Sequence, residues 1–303
     1  MPLVHLNDML KHASYHHYAV GAFGVVSLDF LDGVLQAAEA CRSPVVLNLI
    51  ESHFAYYDFD MLMPAVLSAA RKASVPVAVT FDHGSSLEHA EAAILAGCNS
   101  VMVDTSVLPF SDNLWRTRDI VAMAHPYGVT VEGELGYVPG REGMSAEHHP
   151  GELAYTSAME AAGFVERTGV DCLAVSIGTI HGHMKGIPKL DYARLAKIRD
   201  ATSIPLVIHG GSGLSDDQYR KLVANGAAKI NFFTALTDAA ERSIKEYFSS
   251  NRKYGYPQAT AGVRNAVMDE TFRCLQICGA GGRAAEVLAQ CRPWKETSYS
   301  AGL

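Results

Sequence analysis

The chain lacks a long apolar run, a block of like charge and a basic stripe. None of its apolar stretches approaches the roughly 20 residues that a membrane-spanning helix needs. A formal net charge of −7 offers nothing to follow a nucleic-acid backbone or an anionic membrane, so any phosphate site must be built locally. The opening stretch MPLVHLNDMLKHASYHHY has neither the basic start nor the unbroken apolar segment of a signal peptide. The six cysteines (Cys41, Cys98, Cys172, Cys274, Cys278 and Cys291) lie in or beside apolar segments, and Cys274 and Cys278 share a helix face. They read as buried reduced thiols. A cytoplasmic protein with no nucleic-acid or membrane partner is expected. A GxGxxG after the first strand is also missing, which removes the main dinucleotide-binding signal of a doubly wound sheet.

What is present is alternation. Short β-branched runs at 19–24, 45–50, 77–81, 100–103, 130–134, 172–176, 206–208 and 228–232 are separated by segments of helical period at 28–41, 60–73, 87–96, 113–125, 157–168, 192–200 and 216–225. Several of the runs are apolar throughout, as strands covered on both faces must be. Breaks recur where a helix should end and a strand begin: Ser43-Pro44, Val75-Pro76, Ala96-Gly97 and Ile204-Pro205. Apolar residues make up 49% of the 303 positions with no break in composition. The pattern predicts one α/β domain over residues 1–303, a (β/α)8 TIM barrel. Additional C-terminal helices are expected at 238–248 and 260–278, and the tail after Gly282 carries no assignment. The Gly-, Pro-, Glu- and His-rich stretch 136–155 fits neither period and reads as a long functional loop.

In a barrel of this kind chemistry gathers at the C-terminal ends of the strands. Those ends carry Asp82 and His83, then Asp104, Glu134, His181, the run His209-Gly210-Gly211-Ser212, and Asn231 to Thr234. His83, His181 and His209 are too far apart in the chain for a local element to hold them. Gathered by a barrel, three neutral imidazoles suit zinc and leave a coordination position open. Gly210 to Gly213 form a turn whose backbone can approach an anion closely, followed by a helix N-terminus. No lysine stands at these strand ends. Lys185 and Lys229 lie nearby, which disfavours a Schiff-base mechanism.

The motifs FDHG, VMVDTSVLPFSDN, VEGELG, VDCLAVSIGTIHGHMKG, PLVIHGGSG and AAKINFFTAL together resemble the class II, zinc-dependent ketose-bisphosphate aldolases, over roughly residues 18 to 283. The resemblance is nearest to the fructose- and tagatose-bisphosphate branch. It implies His83, His181 and His209 as ligands of a catalytic Zn2+, with Asp104 and Glu134 available to a second divalent metal or in support of the first. It implies Asp82 as the acid/base at the substrate hydroxyl where the carbon–carbon bond breaks. Glu142, on a mobile loop, would exchange a proton with the enediolate carbon. Gly182, Gly210, Gly211, Ser212 and Asn231 to Thr234 would cradle the phosphate of dihydroxyacetone phosphate, with a monovalent cation (Na+ or K+) nearby. A homodimer or homotetramer acting on a phosphosugar is further implied.

The sequence departs from the family at the far end of the substrate. Where relatives end the first strand with Asn, this chain has Gly24, and after the second strand it reads Glu51-Ser52-His53-Phe54-Ala55-Tyr56-Tyr57. Ser52 is the candidate contact there, and an acidic Glu51 facing the site would oppose a dianion. His148, His149 and His183 read as surface residues. A ketose 1,6-bisphosphate, cleaved to dihydroxyacetone phosphate and glyceraldehyde 3-phosphate, is therefore the leading expectation. A ketose 1-phosphate with an uncharged or sugar-acid-derived distal end is the alternative. A phosphosugar epimerase and a non-catalytic aldolase-like subunit are the remaining rivals.

Overall fold

In the computed structural model, which describes residues 2–140, 155–183, 189–250 and 255–295, eight parallel strands close into a barrel in chain order. They are β1 (Val20–Gly24), β2 (Val45–Ile50), β3 (Val77–Gly84), β4 (Ser100–Val103), β5 (Thr130–Leu135), β6 (Cys172–Val175), β7 (Leu206–Ile208) and β8 (Ala227–Phe232). Each is followed by a helix: α2 (Leu28–Cys41), α3 (Phe59–Lys72), α4 (Leu87–Leu95), α5 (Phe110–Ala124), α6 (Ala158–Thr168), α7 (Tyr192–Ala201), α8 (Asp216–Ala224) and α9 (Thr234–Ser249). Among the described residues three helices lie outside that repeat: α1 (Leu6–Tyr15), α10 (Tyr256–Ile277) and α11 (Ala284–Gln290).

The helices start where their sequences say they should. Ser27, Ser86 and Ser157 each accept a backbone N–H of the first turn, and Ser215 forms a reciprocal capping box with Gln218. Strand burial is complete along β1, β2, β4, β5, β6, β7 and β8, because barrel side chains fill the inside while the helices cover the outside.

The structure differs from expectation at four places. β3 runs through Asp82 and His83 to Gly84, so these residues belong to the strand, and residues 238–248, expected to begin an extension, are instead most of α9. α9 is the eighth barrel helix and begins at Thr234; the helix beyond it, α10, packs on α2 and α9. The N-terminal segment, given no element by its sequence pattern, forms α1 at the opposite end of the barrel. There Asn7 N–H donates to Thr130 Oγ1 (3.1 Å) at the start of β5, and Asn99 Nδ2 donates to the Val4 carbonyl (2.8 Å). The tail after Gly282 also forms structure, as α11. Among the described residues no helix is long and apolar enough to cross a membrane.

Candidate metal centre and substrate cleft

Side chains alternate along a strand, so neighbours such as Asp82 and His83 should face opposite ways. β3 breaks that rule at this point. From Phe81 to Gly84 it advances three residues while β4 advances two, from Val101 to Val103, so β3 carries one extra residue as a bulge. His83 takes φ +50, a left-handed conformation that a non-glycine residue adopts at a cost of about 1–3 kcal/mol. Both side chains thereby reach the same site.

Asp82 is buried and held from two sides. Asn48 Nδ2 on β2 donates to its Oδ2 at 3.0 Å, and Asn231 Nδ2 on β8 donates to the same oxygen at 3.2 Å. Oδ1 is buried with no hydrogen-bond partner among the described residues. A buried carboxylate oxygen left open in this way is available to a bound molecule.

The three histidines converge. His83, His181 and His209 bring ligand nitrogens within 4.8 Å of one another, and the ring centroids lie 4.8 to 5.8 Å apart. His181 is positioned by close backbone approach: a Cβ at Gly210 would collide with the Ile180 carbonyl, and one at Gly140 with the His181 carbonyl. Both glycines also have positive φ, so no other residue serves easily at either place.

The hydrogen bonds define which nitrogens are free. His83 Nδ1 lies 3.1 Å from Asp104 Oδ2, and His209 Nε2 lies 2.6 Å from Glu132 Oε1. Each carboxylate accepts the ring N–H of its imidazole, so lone pairs remain on His83 Nε2 and His209 Nδ1. Those two atoms face each other at 3.0 Å. Two lone pairs at that distance repel unless a proton or a metal ion lies between them. Imidazole backed by carboxylate is also the usual second layer of a metal site.

Charge points the same way. Asp82, Asp104, Glu132 and Glu134 bring four carboxyl groups together, and among the described residues Lys229 is the ammonium that meets them. Burial opposes charge on His83, yet Asp82, Asp104 and Glu134 push its pKa up to about 10, so the surrounding carboxylates draw positive charge towards the facing nitrogens. Burial, with Asp104, pushes the Glu134 carboxyl well above its ordinary range. Burial likewise lowers His209, which favours the neutral imidazole that a metal needs. The donor set therefore fits a divalent cation. Glu134 Oε2 is 3.6 Å from His209 Nδ1, and His83, Asp104 and Glu134 form a second group able to hold a metal.

The sequence does not single out Glu132, and it offers Lys229 only as a lysine near the strand ends. Lys229 Nζ instead donates to Glu132 Oε2 at 2.7 Å with both side chains fully buried. Burial opposes its charge, but Glu132 raises its pKa, so it is a cation and not a free amine. The alternation of β5 and β8 was the available signal: Glu132 shares a face with Glu134, and Lys229 with Asn231. Asn48 was missed too, because an Asn inside the apolar run VVLNLI looks like a tolerated polar residue.

The loops expected to cradle a phosphate meet each other. Ala235 N–H at the start of α9 donates to Ser212 Oγ at 3.2 Å, and Gly211 packs against Ile230 and Asn231. Gly210 and Gly182 both have positive φ, and Thr234 opens α9. The Asn231 side-chain amide serves Asp82 and lies 3.4 Å from His209 Nε2.

A cleft of about 370 Å3 opens onto the histidines, lined by Ile50, Ser52, His83, Asp104, Val107, Tyr137, Val138, Gly140 and His181. Ser52 does face it. Glu51 does not oppose a substrate there: its carboxylate accepts from the Ser85 N–H and hydroxyl and lies 2.5 Å from His89 Nδ1. The space that an Asn would take at Gly24 is filled by Phe233, whose ring a Cβ at Gly24 would strike and which lies tilted against the buried His53, ring centroids 4.2 Å apart. His183 pairs with Asp238 on α9, 2.9 Å away at the surface. Glu142, His148, His149 and Lys185 lie outside the described residues.

An eight-stranded parallel barrel with clustered imidazoles and carboxylates at its strand ends is the architecture of a barrel enzyme built around a metal-capable centre. The chain belongs to the class II fructose-bisphosphate aldolase family, whose sequence pattern matches residues 4–283, and is accordingly a lyase. It is 38% identical to the fructose-bisphosphate aldolase of Geobacillus stearothermophilus over 291 residues, covering 94% of this chain and 100% of that protein. It is also 38% identical to the uncharacterized protein YdjI of Escherichia coli, over 90% of this chain and 96% of that one. The crystal structure of the YdjI aldolase superposes with a TM-score of 0.84 at 36% identity, covering 93% of this chain and 99% of that chain. A putative fructose-1,6-bisphosphate aldolase from Coccidioides immitis gives 0.84 at 29% identity, with 92% and 97% covered.

Proposed function

We propose that this protein is a zinc-dependent aldolase that reversibly cleaves a ketose 1-phosphate skeleton into dihydroxyacetone phosphate and an aldehyde. The observation that carries the reading is the pair of facing lone pairs on His83 and His209, each backed by a carboxylate, beside the open Oδ1 of Asp82. His83, His181 and His209 would hold the zinc, and Asp104 and Glu134 would support it or hold a second divalent ion. When bound, the ion would supply Lewis-acid stabilisation for the charge that develops on the C2 oxygen.

The residues of the chain do the rest. Asp82 Oδ1 removes the C4 hydroxyl proton while Asn48 and Asn231 keep the carboxylate from turning. The O–H electron pair becomes the aldehyde C=O, the C3–C4 bond breaks, and its electrons form the C2–C3 enediolate. A proton then returns to C3. Family resemblance assigns that proton to Glu142. The Gly210–Ser212 turn, Gly182 and the start of α9 are suited to the phosphate on C1, with a monovalent cation beside it.

The relatives named as fructose-bisphosphate aldolases favour a fructose- or tagatose-type 1,6-bisphosphate, with glyceraldehyde 3-phosphate as the aldehyde. The cleft favours a second reading. Among its described lining residues there is no Lys or Arg, and Ile50, Val107 and Val138 form an apolar wall. Those features suit a ketose 1-phosphate whose distal end is not phosphorylated. A coupled assay for dihydroxyacetone phosphate decides between them: ketose 1,6-bisphosphates are compared with ketose 1-phosphates by kcat/KM, with zinc content measured on the same preparation. Absence of zinc and of cleavage on every ketose phosphate would overturn the proposal. We also infer a cytoplasmic homodimer or homotetramer, which light scattering tests in its oligomeric part.

A further inference from the structure

The buried pair beneath the histidines, Glu132 and Lys229, has no part in the steps above, yet it touches His209 directly. Glu132 and Glu134 are two residues apart on β5, so they stack on the inner face of the barrel in successive layers; Lys229 and Asn231 do the same on β8. Glu134 and Asn231 stand in the layer of the site. Glu132 and Lys229 stand one layer deeper, where their side chains are completely inaccessible to solvent.

Both oxygens of Glu132 are committed. Oε2 accepts from Lys229 Nζ at 2.7 Å, and Oε1 lies 2.6 Å from His209 Nε2. A carboxylate at that distance requires a proton on Nε2, which leaves Nδ1 bare and facing His83. The competing arrangement is also within reach. Asn231 Nδ2 is a donor 3.4 Å from the same Nε2. Without Glu132, Nε2 could accept from Asn231, and the proton would sit on Nδ1, pointing at His83 and blocking the metal position. Two contacts on one nitrogen therefore compete, and the shorter, charge-assisted one wins.

We propose that Glu132, anchored by Lys229, is a positioning residue that fixes the Nδ1-bare tautomer of His209 and thereby sets the metal affinity of the three-histidine centre. The inference rests on the metal reading of that site and deepens it. Lys229 contributes by pinning the second oxygen and by pairing the charge, without which a buried carboxylate is strongly unfavourable. This also accounts for a fully buried lysine in an enzyme that forms no Schiff base.

The test uses the intact metal-free protein, titrated with Zn2+ against a chromophoric chelator, alongside thermal melting and nitrogen NMR of the histidine rings. The wild-type spectrum should show His209 protonated at Nε2; protonation at Nδ1 overturns the proposal without any variant. Glu132→Gln should weaken zinc binding by roughly 10- to 100-fold. Glu132→Gln combined with Lys229→Met removes both charges together, so metal-free melting should recover relative to Lys229→Met alone while zinc binding stays weak. If the double variant binds zinc as wild type does, the pair is only structural and the proposal fails. A wild-type chain that takes up no zinc overturns the metal reading itself, and this one with it.

Discussion

His209 Nδ1 lies 3.0 Å from His83 Nε2 although 126 positions separate the two residues in the chain. The approach joins β7 to the bulged end of β3 across the barrel mouth, and it places two lone pairs where only a cation satisfies both.

His209→Ala removes one side of the contact and frees Glu132 from its imidazole. Bound zinc should fall and cleavage should stop. Elemental analysis and the coupled assay on the purified variant check both, and normal turnover would contradict the assignment. Asp82→Ala should retain zinc and lower kcat by about 10²- to 10⁴-fold, the usual contribution of a positioned general base.

Asn48 acts on the reaction only through Asp82, to which it donates at 3.0 Å. Asn48→Ala deletes a hydrogen bond to a charged group, of order 1.5–3 kcal/mol. A drop in kcat of about 10- to 100-fold is expected, with zinc content unchanged. An unaltered kcat would show that Asn231 alone holds the carboxylate.

Metal chelation and borohydride reduction should separate the two aldolase chemistries. Lys229 is buried and paired with Glu132, so it has no free amine to condense with a ketone. Borohydride in the presence of dihydroxyacetone phosphate should leave activity intact. Dialysis against a strong chelator should abolish it, and added Zn2+ should restore it.

The thiols should be inert in the folded protein. All six cysteines are buried and free, and burial raises the pKa of each, to about 12 for Cys278 and about 11 for Cys291. An unfolded thiol titrates near 9.0, so above that pH the unfolded chain loses protons that the folded chain keeps. The stability contributed is complete below pH 9.0 and declines as pH rises towards 11 and 12. Denaturant melts across that range, with alkylation counts before and after unfolding, measure the effect.

Gly24 and Phe233 should behave as one unit. Gly24→Asn alone drives a side chain into the Phe233 ring, an overpacking cost of about 1–3 kcal/mol. Phe233→Ser should relieve most of it. A melting temperature for the double variant no higher than that of Gly24→Asn would show that the two positions are independent.

The barrel was legible because its signals are local. Eight apolar runs and the seven intervening helical periods each depend on residues within a few positions of one another, and β2, β4 and β7 match their expected bounds. The strand-end residues followed from the fold, since parallel strands bring all their C-terminal ends to one side. What stayed hidden was non-local. The bulge in β3 depends on pairing with β4, and the roles of Glu132, Lys229 and Asn48 depend on which strand lies across the interior. α1 and α11 have no assignment in the sequence pattern, because the surface that each covers belongs to distant parts of the chain.

By itself, then, the sequence determined the class of fold, the family and the chemical types gathered at the barrel mouth. Propensity, period and motif are properties of neighbouring residues, and these sufficed. The tertiary structure alone decided which nitrogen of each histidine faces the centre, which oxygen of Asp82 stays open, and what fills the space beside Gly24. Those outcomes are set by hydrogen bonds and packing between strands far apart in the chain, where distances of a few tenths of an ångström choose between competing donors.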